Sequence, residues 1–422
     1  MKSPHKRLVN SREYKVHECR ICKATEITSF LSLGTMPIPN GFVKKEDLKK
    51  QEFYYPLEVG VCNTCHLVQL MHIIPADVMF RNYLYIPSTS TTHLNHFETI
   101  VEETISKVKL KKHDLVVDIG SNDGALLSFF QKKGMKVLGV DPAINLAKLA
   151  IKKGIPTVNE FFTEEHVTRL HQLHGDAKLI TATNVFAHID DLQDVCRGVH
   201  TWLAPDGLFI FESPYLVDLL EKNEFDTIYH EHLSYLAITP LQRLFEKHGL
   251  EIVDVVRDPI HGGSIRVSVA HWNSIHKVQP IVAELIELEK KMNLDTLEPY
   301  KSFAKRVQSI KKKLRIHLLK LRKQGKRIIG YGASAKGNVL LNYCEITPEI
   351  LDYIVDSIPY KQGKYTPGTH IAIHPEKKLV KDTPDYALLL SWNFAEEIIQ
   401  KQESFTKRGG KFIVMVPEIH EV

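Results

Sequence analysis

The stretch Val116-Val117-Asp118-Ile119-Gly120-Ser121-Asn122-Asp123-Gly124 constrains this chain more than any other. Leu115 to Ile119 reads as a short buried strand, and the five residues after it, rich in Gly, Asn and Asp, as a tight turn. Ala125 to Lys133 then reads as a helix and Val137 to Val140 as a second strand ending on Asp141. In such a β-turn-α-β unit the glycines let the backbone approach a ligand closely, and the acid at the end of the second strand suits a ribose diol. The turn is not Gly-x-Gly-x-x-Gly, and no Gly-Lys-Ser/Thr is present for a triphosphate.

The remainder of the sequence sets the scale. A chain of 422 residues should hold two or three domains. At 43% hydrophobic and 25% charged it has an ordinary soluble composition. There is no 18-residue apolar run, and the first fifteen residues carry positive charge without an apolar segment behind them. We therefore expect a cytoplasmic protein with no membrane partner. A net charge of +5 is small for this length and by itself decides neither for nor against nucleic acid.

Four of the six cysteines form two Cys-x-x-Cys pairs, Cys19/Cys22 and Cys62/Cys65. Two knuckles of this spacing can place four thiolates tetrahedrally around Zn²⁺. Four sulfurs leave no open position for water, so the expected zinc is structural, offsetting the small core of an N-terminal domain over residues 1–75. Redox-active or merely buried cysteines are the alternative. Between the knuckles, Pro37-Ile38-Pro39-Asn40-Gly41-Phe42 reads as a loop and the segment from Tyr54 to Val61 as a strand. Tyr83 to Ser90 is a polar, aromatic stretch able to lie over the central site, ahead of a helix from about Thr92 to Val108.

The second domain, residues 76–275, continues with a strand over Asp176–Ala182. Asn184 and His188 follow its carboxyl end, where ligands of open α/β sheets sit. Ala204-Pro205-Asp206-Gly207 reads as a turn before a strand over Leu208–Glu212. Tyr229-His230-Glu231-His232 places ionisable side chains in a row, and a histidine beside a carboxylate makes a plausible general base. Its spacing is not the His-Glu-x-x-His of a helical zinc site. His261-Gly262-Gly263-Ser264 turns into the strand Ile265–Val269, where Arg266 could face a phosphate or carboxylate.

Residues 276–422 form the third domain. Its helical connector has apolar residues at Phe303, Val307, Ile310, Leu314, Leu318 and Leu321, with a basic face opposite that reads as solvated. Arg327 to Asn338 contains a second strand, glycine turn and helix start, in which Gly330-x-Gly332 can cradle a phosphate. The expected class is thus α/β: a zinc-binding N-terminal domain and two Rossmann-like domains.

Asp118-x-Gly120-x-x-x-Gly124 resembles the turn of class I methyltransferases, which bind S-adenosylmethionine (SAM). Taken in order, the four cysteines, that turn, Asn184-Val-Phe-Ala-His188, Tyr229-His-Glu-His232, His261-Gly-Gly-Ser264 and Gly330-Tyr-Gly-Ala-Ser-Ala-Lys-Gly337 resemble the sugar C-methyltransferases over nearly the whole chain. The resemblance implies proton removal beside the ketone of a nucleotide-linked keto-deoxysugar, usually at C3 of a 4-keto-6-deoxy sugar, and attack of the enediolate on the SAM methyl. It implies His232 as base, with Tyr229, Glu231, His188 and Tyr85 around the sugar. The cofactor would meet Asp118, Gly120, Asn122, Gly124, Asp141 and Asn184. The sugar nucleotide would lie between the last two domains of a monomer that binds no nucleic acid. O-methylation, an NAD(P)-dependent reductase and a non-catalytic nucleotide-sugar sensor are the competing readings. The role of His230, and which of Tyr83 and Tyr85 reaches the site, stay open.

Overall fold

The computed structural model describes residues 6–81, 83 and 86–422. Its centre is a seven-stranded sheet in the order Leu250–Asp258, Ser264–His271, Leu203–Pro214, Ala177–Thr183, Leu115–Ile119, Lys136–Val140, Thr157–Val158. All neighbours pair in parallel except at Ser264–His271, which runs antiparallel to both of its partners. The strand Leu115–Ile119 is wholly buried. Leu115, Val117 and Ile119 join one core and Val116 the other, as the two-residue period of a strand requires. Helices Thr91–Val108 and Ala125–Lys132 supply Phe97, Ile100, Leu126 and Phe130 to one side. Helices Leu192–Trp202 and Ile238–Glu246 supply Val195, Trp202, Leu241 and Phe245 to the other. Strand order reverses between Leu115–Ile119 and Ala177–Thr183, which opens the crevice where such sheets bind ligands.

The expected turn at Ala204–Gly207 is absorbed into a strand. Leu203 already pairs with Ala177, and the register shifts before Leu208 meets Leu179, so the Pro-Asp-Gly signal marks a bulge.

A second, six-stranded sheet follows in the order Ile373–Pro375, Ile354–Asp356, Ile328–Tyr331, Tyr386–Leu389, Lys411–Val414, His420–Glu421, parallel but for the last strand. The helix Glu298–Lys323 leads into it and buries the apolar stripe read from the sequence. Tyr300 near its start packs on Phe30 with ring centroids 5.0 Å apart. Some of its basic residues are tied down: Arg306 donates to the Leu220 carbonyl at 2.6 Å.

The N-terminal sheet pairs Ile27–Met36 with Glu52–Cys62 and then Val68–Leu70, all antiparallel. Its next strand is Ser234–Tyr235, from the centre of the chain, in register Ser234 to Gln69 and Tyr235 to Val68. The segment directly after Tyr229–His232 is thus hydrogen-bonded into the cysteine-bearing ribbon.

Candidate active site

The glycine turn is built by steric necessity. Gly120 has φ +66°, and a Cβ there would stand 2.6 Å from Val185 Cγ2; Gly124, at φ +77°, would strike Ile155 at 2.9 Å. Asn122 and Asn184 also adopt positive φ, 53° and 55°. Gly120 and Gly124 are thus required as glycines by their φ and by the close packing of Val185 and Ile155. Asp118 is buried and accepts from Thr181 Oγ1 at 2.7 Å, and burial pushes its carboxyl up to about 7. Asp141 ends the second strand as expected and accepts from the Asn122 and Ala143 amides, both at 2.7 Å. An acid at a strand end, beside a turn whose glycines and asparagine take positive φ, fits the ribose and methionine parts of SAM. Asn184 is turned towards Glu212, its Nδ2 3.4 Å from Oε1 of a carboxylate that His96 also holds at 2.9 Å.

The second group gathers on the 3-10 turn Phe186–His188 and the loop after Phe225–Thr227. His232 is 8% exposed, and its Nδ1 lies 2.8 Å from the Thr227 carbonyl. Since a carbonyl can only accept, Nδ1 carries the proton and Nε2 keeps its lone pair. Burial, then the neighbouring His188 and Lys336, holds its pKa well below the usual histidine value. The Tyr229 ring lies 4.0 Å from that of His232 and the His188 ring 5.0 Å, with His188 stacked on Phe80. Burial lowers His188 to about 4. Glu231 is buried and accepts from Asn40 Nδ2 at 2.6 Å and from Tyr83 Oη at 2.7 Å; burial raises its pKa despite both donors.

The structure thus brings His188, Tyr229, Glu231 and His232 together. Of the two tyrosines left open, Tyr83 reaches Glu231; Tyr85 lies outside the described residues. His230 faces the other way, against Tyr55 at 6.0 Å between ring centroids, and burial pushes it down to about 4. Asn40 was missed. Its loop was legible, but the partner that gives it a role is 191 positions away.

The four cysteines converge. Cys19 and Cys65 Sγ are 3.4 Å apart, Cys22 and Cys62 Sγ 3.5 Å, and all four sulfurs lie within 4.8 Å of one another. Four thiolates at about 2.3 Å from a tetrahedral Zn²⁺ stand under 4 Å apart, so the cluster fits zinc. The knuckle is clamped to the central domain: Arg20, 3% exposed, reaches Asp190 at 3.1 Å, and Gln193 Nε2 donates to the Ile21 carbonyl at 2.6 Å.

Three family models match in sequence order: a zinc binding domain over residues 19–80, a methyltransferase domain over 95–255 and a C-methyltransferase C-terminal domain over 259–417. The C-methyltransferase NovU of Streptomyces niveus is 40% identical over 403 residues, which cover 96% of this chain and 96% of NovU. Among solved structures, a SAM-dependent methyltransferase from Clostridium acetobutylicum aligns over 43% of this chain and 92% of its own, at TM-score 0.35 and 17% identity. Magnesium protoporphyrin IX methyltransferase from Synechocystis with bound SAM aligns over 42% of this chain and 79% of its own, at TM-score 0.32 and 14% identity. With the likeness to NovU covering 96% of the chain and the three family models matching in order, the chain belongs to the SAM-dependent C-methyltransferases that carry an N-terminal zinc-binding domain.

Proposed function

We propose that the protein methylates carbon beside the ketone of a nucleotide-linked keto-deoxysugar, at C3 of a 4-keto-6-deoxyhexose. Residues 1–75 would serve as the zinc domain, 76–275 would hold SAM, and 276–422 would flank the sugar nucleotide. The observation that carries the reading is the state of His232: a buried imidazole with Nδ1 committed to a carbonyl and Nε2 unprotonated.

Carbon beside a ketone must lose a proton before it can attack an electrophile. A base that is neutral at pH 7 and can later release the proton suits that step. His232 has this form, and the Thr227 carbonyl fixes both its tautomer and its ring. The charge that develops on the ketone oxygen needs donors, and Tyr229 and His188 lie beside the base to supply them. Glu231, held by Asn40 and Tyr83, fixes the loop that carries its neighbour His232. Bound SAM supplies a methyl group on a sulfonium, and alignment does most of the remaining work. The four thiolates close the zinc to substrate, so the metal has no place on the ketone.

The test is isotope transfer from methyl-labelled SAM to a panel of dTDP-, GDP- and CDP-linked 4-keto-6-deoxy sugars, with NMR of the products. Label on carbon beside the ketone is the expected result; label on oxygen points to O-methylation instead. His232→Asn should keep SAM affinity yet abolish deuterium exchange at that carbon. Exchange at the wild-type rate sinks the base assignment.

A further inference from the structure

Beside His232 lies a polar cluster that the mechanism above does not use. Lys336, from the helix Ala335–Tyr343 that follows the second glycine turn, donates from Nζ to the His261 carbonyl at 3.1 Å. Its ammonium sits 4.7 Å over the Trp392 ring. Trp392 Nε1 in turn donates to Asp226 Oδ2 at 2.7 Å. Asp226 and Glu224 are 0% and 1% exposed, and among the described residues Asp226 Oδ1 and Glu224 Oε1 have no hydrogen-bond partner. The His-Gly-Gly-Ser turn is shaped by these acids: a Cβ on Gly262 would stand 2.3 Å from Glu224 Oε1, and one on Gly263 2.3 Å from Asp218 Cγ. The motif thus closes over carboxylates, and its carbonyl anchors the lysine.

Buried polar groups left without partners point to a ligand or water between them. Asp226, with one oxygen on Trp392 and the other unpaired, the unpaired Glu224 Oε1 and the half-buried Lys336 ammonium on the His261 carbonyl form such a site, and Asp226 directly precedes Thr227, whose carbonyl holds His232. Resting on the proposed reaction, we infer that Lys336 is a further catalytic residue, its ammonium donating to the oxygen that gains charge when His232 removes the proton. The balance is simple: the C–H electron pair moves into the enediolate, the proton goes to His232, and Lys336 keeps its own protons. The His261 carbonyl and the Trp392 ring hold the ammonium in place, and the negative charges of Asp226 and Glu224 favour its protonated form. Burial works the other way on all three, lowering the lysine, raising Asp226 and lifting Glu224 to about 7. The groups facing His232 are His188, Tyr229, His261 and Lys336, and those facing Lys336 are Glu224, Asp226, His261 and His232. Lys336 also helps keep His232 neutral, since one positive charge disfavours another nearby.

The experiment is solvent exchange at the carbon beside the ketone, with S-adenosylhomocysteine bound, followed by NMR in D₂O from pH 5 to 9. Wild type, Lys336→Met, Lys336→Gln and Lys336→Arg are compared, with SAM affinity and thermal melting as controls. Lys336→Met should slow exchange by about 100-fold at the pH optimum, the scale set by removal of one oxyanion donor. Its acid limb should move to higher pH, because His232 is protonated more readily once the positive charge is gone. Lys336→Arg should recover part of the rate and the wild-type limb. If Lys336→Met melts early or loses SAM, Lys336→Gln takes its place, with the same slowing and the same shift expected. Either variant exchanging at the wild-type rate with an unmoved acid limb overturns the role of Lys336 alone. A wild-type enzyme that exchanges no carbon-bound proton in any nucleotide sugar overturns the proposed reaction, and this inference with it.

Discussion

At the scale of the residue, the three members of His230-Glu231-His232 have three environments and three uses. Glu231 takes hydrogen bonds from two other parts of the chain, His232 stands beside Tyr229 and His188, and His230 is turned into the packing against Tyr55. His230 has a cost that depends on pH. Its folded pKa is about 4, against about 6.5 in an unfolded chain, so between those values the unfolded state binds a proton that the native state does not. The depressed pKa means stability is fully present above pH 6.5 and lost as pH falls towards 4. At pH 5 this term is on the order of 2 kcal/mol. His230→Gln removes it. The stability difference between wild type and variant, measured by urea unfolding, should shift by about that much in favour of the variant on going from pH 8 to pH 5. A difference that stays constant with pH would show that His230 does not titrate on unfolding.

At the scale of the element, the loop carrying Tyr229–His232 is a connection between sheets. It leaves the 3-10 turn Phe225–Thr227 and ends in Ser234–Tyr235, the strand that completes the cysteine-bearing ribbon. The Leu233 carbonyl accepts from the Leu70 amide, and the Leu233 amide donates to the Ala187 carbonyl, beside His188; both are 2.9 Å. Zinc holds the other end of that ribbon. Removing the metal with a tight chelator should therefore raise hydrogen exchange of amides 68–70 and 233–236 before that of the central strand Leu115–Ile119. Methyl transfer should fall while SAM affinity changes little. Uniform loss of protection across all three sheets would mean that the zinc supports global folding and has no local hold on the loop.

The elements most legible in the sequence were those whose chemistry is local. Leu115–Ile119 announced itself by its apolar run, the glycine turn by residues able to take positive φ, and the knuckles by their cysteine spacing. Ala204–Gly207 was misread because Pro-Asp-Gly is a turn signal unless a neighbouring strand captures it, and Ala177 does so by pairing with Leu203. The contacts of Asn40 with Glu231 and of Lys336 with the His261 carbonyl could not be read, because each partner lies far along the chain. Arg20 is similar: an arginine between two cysteines gives no hint of burial, yet Asp190 and the Leu70 carbonyl hold it inside.

At the scale of the molecule, one loop ties the three sheets together. Asn40 donates to Glu231, while the carbonyl of the adjacent Pro39 accepts from Asn338 Nδ2 at 2.7 Å, in the helix after the second glycine turn. Farther out, Glu52 takes the Gly368 amide at 3.0 Å and His370 Nε2 at 2.6 Å. Asn338→Ala leaves a buried carbonyl without its donor and should cost about 1–3 kcal/mol in unfolding free energy. Because the loop also carries Asn40, the variant should raise KM for the proposed sugar-nucleotide substrate while leaving the SAM dissociation constant within about twofold, a change too small to reflect a lost hydrogen bond. Equal weakening of both ligands would argue against a loop that serves the sugar side alone.

The same loop has a consequence in time. A ribosome releases Pro39 and Asn40 early, yet their partners are 299 and 191 positions further on. The ribbon likewise waits for Ser234–Tyr235 before its last strand is paired. While residues 71–233 are being made, the zinc knuckles can close but the edge Val68–Leu70 stays open, an unpaired edge of the kind that recruits the wrong partner. The nascent chain is most exposed to misassembly in that interval, and slow elongation between the knuckles and residue 236 would lengthen it.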